Sequence, residues 1–312
     1  MIDIVGKRYW WFLLSLLVII PGTISLLLFQ VRLSIDFTGG TLWELQFQSG
    51  QVAPAQVKNI LAEYGLGDSS VQTVGEHGVL IRAREIKPGS QVKTQVSDAL
   101  KSKFGNFTEA RFESVGPTVG QEVTNRALIA VAAAAVGILL YISLAFRKVS
   151  NPFRYGTCAI VAMLHDVLVV VGVFSLMGHF FGTEVDSMFV TALLTVIGFS
   201  VHDTIVVFDR IRENVTKYPG EKFENVVNHS VLQTFARSLN TSLTVVFTLV
   251  AIILFGGVTI QTFVLALLIG IVSGTYSSIF NASQILVVWE NGEVGKFFGK
   301  LFNKTSRSEA AI

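Results

Sequence analysis

The chain has 312 residues, 51% hydrophobic and only 15% charged, with a net charge of +2 and a mean hydropathy of +0.58. Soluble domains carry about 25% charged residues, so this balance excludes an ordinary soluble globular protein and points to an integral membrane protein. The net charge is too small to argue for a nucleic-acid partner. The single cysteine, Cys158, allows no intrachain disulfide and reads as a small buried apolar residue.

Six stretches reach or approach the about 20 apolar residues a spanning helix needs: 9–29, 128–146, 156–177, 188–208, 239–255 and 262–289. The apolar run of the first is too long for a signal peptide, and no A-x-A site follows it. The fifth is short at its apolar heart and extends back through Arg237 to Phe235. Lys7 and Arg8 precede the first span, and Arg147, Lys148 and Arg154 lie between the second and third. Arg210, Arg212, Lys217, Lys222 and Arg237 lie between the fourth and fifth, and Lys296, Lys300, Lys304 and Arg307 follow the sixth. The loops "GHFFGTEVD" and "GGVTIQ" contain neither Lys nor Arg. This alternation predicts cytoplasmic termini and an extracytoplasmic segment 30–125. The expected organisation is a first span within 1–29, that external domain, a five-helix bundle over 126–289, and a basic cytoplasmic tail over 290–312.

The stretch "SIDFTGGTLWELQF" leaves the first span. Gly39 and Gly40 permit backbone angles other residues avoid, and Asp36 and Thr38 can bond nearby amides in a turn. This predicts a joint between membrane and domain, with its rigidity left open. Beyond it, "TLWELQFQ" alternates as a strand and "PAQVKNILAEYG" is bounded as a helix by Pro54 and Gly65. "SSVQTVG" and "GVLIRARE" read as a strand pair turned by "GEHG". "SQVKTQVSDALKSKFG" is an amphipathic helix and "EARFESVG" a last strand. The order βαββαβ is the ferredoxin-like α+β unit. His77 is alone in its turn, and no nucleophile–base or metal-ligand constellation is visible in this domain.

Ionisable residues inside spans are costly and mark functional sites by default. They are His165 and Asp166 in the third span, His202 and Asp203 in the fourth, and Arg237 with Asn240 and Thr241 at the entry to the fifth. Spans four and five run antiparallel, which lets Asp203 and Arg237 reach one depth and pair. Thr241 is one turn beyond Arg237 on the same face. A movable Arg partner would let Asp203 take up and release protons, whereas a permanent ion pair would only fix packing. The residues leave both readings open. Asp166 reads as a static hydrogen-bonding acid and a secondary candidate. His165 and His202 read as packing and hydrogen-bonding residues, since no second ligand stands at metal spacing. In the sixth span Gly270, Gly274, Ser278 and Ala282 form a small-residue stripe for close helix approach. Segment 209–238 reads as an amphipathic cytoplasmic loop, with Phe223, Val226, Val227 and Val231 on a face for the membrane surface or a partner. No phosphate-binding glycine loop or catalytic triad is present, so the chain does not read as an enzyme and calls for no cofactor.

Four stretches, "IDFTGG", "GFSVHDTIVVFDRIREN", "RSLNTSLT" and "GTYSSIFNAS", resemble, in order and over nearly the whole chain, the signature motifs of the SecF family of bacterial protein-export subunits in the resistance-nodulation-division superfamily. The family usually carries Asn where this chain has His202, a departure that bears on the hydrogen bonding of Asp203. The resemblance implies a six-span subunit of the bacterial inner membrane, with domain 30–125 periplasmic. With SecD it would make twelve spans and use the proton motive force to promote late preprotein export. The implied partners are SecD, the SecYEG channel, YajC, unfolded preprotein and membrane lipid. By motif position Asp203, Arg237 and Thr241 would be the proton-pathway residues, and Asp36, Gly39 and Gly40 the joint between membrane and domain. The alternatives are a scaffold for SecD and the channel without proton coupling, or half of a small-molecule exporter. Such exporters carry bulkier external domains than the about 95 residues available here. The coupling ion, proton or sodium, is left open.

Overall fold

A computed structural model describes residues 2–48, 52–147, 151–257 and 260–293. Lys148, part of the "GGVTIQ" loop and the basic tail from residue 294 onward lie outside the described residues. By contact, the chain divides into two compact units. One holds residues 1–32, 130–184 and 188–312, the other residues 33–129 and 185–187.

The second unit opens with a one-turn helix α2 (Ile35–Thr38), numbered after the first long helix α1 (Arg8–Phe29). Then follow β1 (Gly40–Phe47), α3 (Pro54–Glu63), β2 (Ser70–Val74), β3 (Gly78–Ala83), α4 (Gln91–Phe104) and β4 (Phe107–Val115). The predicted βαββαβ order is present, with every neighbouring strand pair antiparallel and the sheet order β2-β3-β1-β4. Local chemistry sets the boundaries. Pro54 supplies its pre-set φ at the first turn of α3. Ser90 caps α4 by accepting the Lys93 amide at 3.3 Å, and Gly105 ends that helix at φ 82. Alternation along β1 sends Trp43, Leu45 and Phe47 to one face, where they meet Val57 and Leu61 of α3 and Val96 and Leu100 of α4 in one core. The Trp43 Nε1–H finds a partner at the edge of that core: it donates to Glu109 Oε2 at 2.9 Å.

The first unit contains α1, most of α5 (Pro117–Ala145), α6 (Pro152–Phe181), α7 (Ser187–Lys217) beyond Ser187, α8 (Phe223–Phe255), and a last helix in three pieces. Those pieces are α9 (Gln261–Ser277), a π turn (Ser278–Ala282) and α10 (Ser283–Glu290). All six predicted spans are helices long and apolar enough to cross a membrane. The small-residue stripe of the sixth meets a matching row on α7. Gly270 lies against Val196, Gly274 against Ser200, and the Ser278 and Thr204 hydroxyls are 2.8 Å apart.

One expectation is corrected. Segment 209–238 is not a loop, because α7 runs on to Lys217 and α8 begins at Phe223. Its apolar face does not look outward. Val226, Val227 and Val231 are buried in the bundle core with Ile4 and Val5 of the N-terminal segment. Asn228 explains why: its Oδ1 accepts the Ile4 amide at 2.9 Å and the Val5 amide at 3.2 Å, drawing that segment across the face.

Candidate functional site

Helices α7 and α8 form an antiparallel hairpin, and a polar clasp near their turn sets its register. Asn214 Nδ2 donates to Ser230 Oγ at 2.8 Å and to Gln233 Oε1 at 2.9 Å, while Arg210 Nε donates to the same Gln233 oxygen. This register brings the inner faces of Asp203 and Ser238 together.

Asp203 is 5% exposed. The groups that act on its carboxylate are the Ser238 hydroxyl, the His202 ring and the Arg237 guanidinium. By strict geometry neither Asp203 Oδ2 nor Ser238 Oγ has a hydrogen-bond partner. The predicted Asp203–Arg237 ion pair is not closed among the described residues: Arg237 is exposed and electrostatically near, not bonded. The reason is one residue of helix. Ser238 faces Asp203, and Arg237 lies about 100° around α8 on the outer side. Thr241, also exposed, shares that outer side, and its hydroxyl donates to the Arg237 carbonyl at 2.9 Å.

The outer surface of α8 divides into two arcs. Leu239, Leu243, Phe247, Val250 and Leu254 form an apolar arc suited to lipid. Beside it Arg237, Asn240, Thr241, Thr244 and Thr248 form a polar arc of roughly 100°. The Thr244 and Thr248 hydroxyls donate to the carbonyls of Asn240 (2.8 Å) and Thr244 (3.0 Å), which occupies their donors and leaves oxygen lone pairs outward. On α7, Thr191, Thr195, Gly198 and His202 are exposed at the same helical spacing. Polar side chains at this depth face water-filled space or protein rather than lipid.

Asp166 is 1% exposed and bonded on every side. Its Oδ1 accepts from Ser273 Oγ at 2.7 Å and meets His165 Nδ1 at 3.0 Å. Its Oδ2 accepts from Ser200 Oγ at 2.6 Å and Ser277 Oγ at 2.7 Å. His165 Nε2 continues the network to Ser15 Oγ of α1 at 3.1 Å, and Asn281 Nδ2 donates to the same oxygen at 2.8 Å. Three helices, α6, α7 and α9, thus share one carboxylate, and His165 extends the network to α1. Sequence reasoning misses Ser200, Ser273 and Ser277; their only signal is their place in and beside the fourth- and sixth-span motifs.

In the other unit, Asp36 Oδ2 accepts the amide (2.9 Å) and the hydroxyl (2.7 Å) of Ser187. Gly39 and Gly40 have φ of 71 and 123, and a Cβ on either would lie 2.8 Å from backbone, of Pro117 and Ala83 respectively. Among the described residues no group of three or more His, Cys, Asp or Glu is placed to hold a metal ion. A cavity of about 600 Å³, lined among others by Asp3, Val5, Arg8, Glu224 and Val226, contains none of the predicted site residues.

The family model for the C-terminal part of "Protein export membrane protein SecD/SecF" matches residues 95–292, and the model for the "SecD/SecF GG Motif" matches residues 24–51. The chain is 59% identical to the protein translocase subunit SecF of Thermobaculum terrenum, with all of both chains covered. It is 37% identical to the protein translocase subunit SecDF of Bacillus subtilis, covering 94% of this chain and 39% of that protein. The crystal structure of SecDF from Thermus thermophilus, described as a translocon-associated membrane protein, superposes with a TM-score of 0.79 at 32% identity. That match covers 93% of this chain and 39% of the SecDF chain, so this chain spans about two-fifths of that protein's length.

Proposed function

The chain belongs to the SecD/SecF family of protein-export membrane proteins, and we propose that it is the half of a proton-driven export factor that carries Asp203 as a proton carrier. Its partner chain is of the SecD type, as the likeness to part of the longer SecDF proteins supports. Together they use the proton motive force to promote late stages of preprotein export, in association with the SecYEG channel and YajC. Both termini are cytoplasmic and domain 30–125 is periplasmic, in line with the distribution of Lys and Arg.

One observation carries this reading: a buried carboxylate with an unpartnered oxygen beside a guanidinium that is near but not bonded. A permanent structural pair would be closed and fully bonded, as Asp166 is. The threonine-bearing outer faces of α7 and α8 offer acceptor oxygens leading from His202 and Arg237, the neighbours of Asp203 and Ser238, toward the periplasmic ends of both helices, where an entering proton would arrive. A SecD-type partner would cover those faces, and membrane lipid the apolar arc.

The test is preprotein translocation into inverted membrane vesicles, with and without an imposed proton gradient, comparing wild type with Asp203→Asn at equal complex abundance. Asn keeps the size but cannot carry the proton. Loss of only the gradient-dependent increment is the expected result. Wild-type stimulation in the variant would leave the chain as a scaffold and move proton coupling to the partner.

A further inference from the structure

The last span meets its neighbours on three faces, each marked by small or hydroxyl-bearing residues at helical spacing. Ser273 and Ser277 face α6, where both donate to Asp166 at 2.7 Å. Gly270, Gly274 and Ser278 face α7. Ser278 opens the π turn, and its hydroxyl lies 2.8 Å from Thr204 Oγ1 and 3.1 Å from the Ser200 carbonyl. Thr275 faces α8, with its Oγ1 2.5 Å from Ser242 Oγ. The Thr275 hydroxyl donates its one proton to the Ile271 carbonyl at 2.8 Å, so Ser242 is the donor between the two helices. Thr204, Ser242, Thr275 and Ser278 are all buried. π turns concentrate at functional positions, and this one starts where the span holds α7.

These two contacts stand on either side of the Asp203–Ser238 apposition. Thr204 is the next residue to Asp203, and Ser242 is one turn beyond Ser238 on the same face of α8. Asp203 Oδ2 and Ser238 Oγ have no closed bond of their own, so nothing between them fixes how α7 and α8 are rotated there. The Asn214 clasp lies about 16 Å further along α7, at about 1.5 Å per residue, and fixes the offset of the two helices along their axes. A turn of α8 by about 100°, the step of one residue, would carry Ser238 away and bring Arg237 in. We infer that Thr275 and Ser278 are positioning residues for Asp203: through Ser242 and Thr204 they hold α8 and α7 at the rotation that sets Ser238, and not Arg237, against the carboxylate. The inference rests on the reading of Asp203 given above.

The experiment uses the full chain with its partner and takes two readings at matched abundance. One is the gradient-dependent increment of translocation into inverted vesicles. The other is the infrared band of the Asp203 carboxyl in the purified complex, identified by its loss in Asp203→Asn. Thr275→Val keeps the shape of the side chain but removes the acceptor of the Ser242 hydroxyl. It should lower the increment about fivefold, the worth of one hydrogen bond, and move the Asp203 band. Thr275→Ser should restore both. Ser278→Ala should act like Thr275→Val from the α7 side. Adding Ser242→Ala to Thr275→Val should cost nothing more, because both act through one contact. If Thr275→Val does not accumulate, Ser242→Ala opens the same contact from α8 and takes its place. A band that stays put in the variant of either contact overturns the inference, whatever happens to thermal stability, because a role confined to packing leaves the carboxyl as it was. Losses that multiply in the double variant overturn it as well. Stimulation that survives Asp203→Asn sinks the proton reading, and the band alone then decides the positioning. Stimulation lost there, with an unmoved band in Thr275→Val, sinks only the positioning.

Discussion

Gly22 of α1 and Gly172 of α6 meet back to back. A Cβ built on Gly22 would lie 3.0 Å from Gly172 Cα, and one on Gly172 would lie 2.8 Å from Gly22 Cα. The contact continues one turn on as the Ser25–Ser175 hydroxyl pair at 2.9 Å, and then as Phe29 stacked on His179 at 3.7 Å. Positions rise together on both helices, so spans one and three run parallel.

This pair yields the first prediction. Gly172→Ala should destabilise the purified complex by about 1–3 kcal/mol, the usual cost of overpacking a close contact. Gly137, where an added methyl group would meet nothing within 4 Å, is the control, and Gly137→Ala should be neutral or slightly stabilising. Thermal unfolding in detergent distinguishes them, and equal midpoints for the two variants would dismiss the close approach.

Asp166 and Asp203 should separate stability from function. Asp166→Asn leaves an amide facing two serine hydroxyls and should cost about 2–3 kcal/mol, since buried donors and acceptors are then mismatched. Asp203→Asn disturbs an oxygen that has no partner and should shift stability by less than about 1 kcal/mol while removing the gradient response. Thermal unfolding read beside translocation checks both. A large stability loss in Asp203→Asn would mean that its carboxylate is structural.

The spans and the external domain are legible in the sequence because burial imposes periodicity: alternation in β1, long apolar runs in the helices, and Pro, Ser and Gly at the helix ends. The stripe from Gly270 to Ala282 announces a close helix neighbour, but only the fold names Val196, Ser200 and Thr204 as that neighbour. Sequence reasoning places Arg237 at the depth of Asp203, but only the fold shows that Ser238 takes the inner face and Arg237 the outer one. Antiparallel helices fix depth from sequence, but rotation about the helix axis is set by side-chain packing such as the Asn214–Ser230 clasp. The Asp36–Ser187 contact has no local signal at all, because its two members are 151 residues apart.

Glu293 supplies a pH test outside the spans. Burial pushes its carboxyl upward, but hydrogen bonds from Asn291, Tyr9 and Arg8, with the Arg8 charge at 2.6 Å, outweigh burial and hold it below the usual 4.5. A carboxyl lowered on folding stabilises the folded state above its unfolded value and loses that contribution as pH falls through the folded one. Thermal stability should therefore decline below about pH 4.5. In Glu293→Gln the part of that decline due to this carboxyl should vanish, with lower stability at pH 7. Superimposable pH profiles for variant and wild type would exclude the contribution.

The joint can be tested by comparing two glycines of positive φ that differ in neighbourhood. Gly39 (φ 71, ψ 168) and Gly75 (φ 65) both have a positive φ, where an L side chain costs about 1–3 kcal/mol. Gly75 has open space around it, whereas a Cβ on Gly39 meets Pro117 Cα at 2.8 Å and Pro117 N at 3.0 Å. Gly75→Ala should therefore show only the backbone cost and keep full translocation. Gly39→Ala should add the cost of parting two backbone segments, about 1–3 kcal/mol more. Because Asp36 is three residues away on the same turn, Gly39→Ala should also weaken the hold on Ser187. Amide exchange in the first turn of α7 should then speed up in Gly39→Ala and stay unchanged in Gly75→Ala. Equal exchange in both variants would mean that the joint tolerates a side chain at Gly39, and that its stiffness comes from elsewhere in the node.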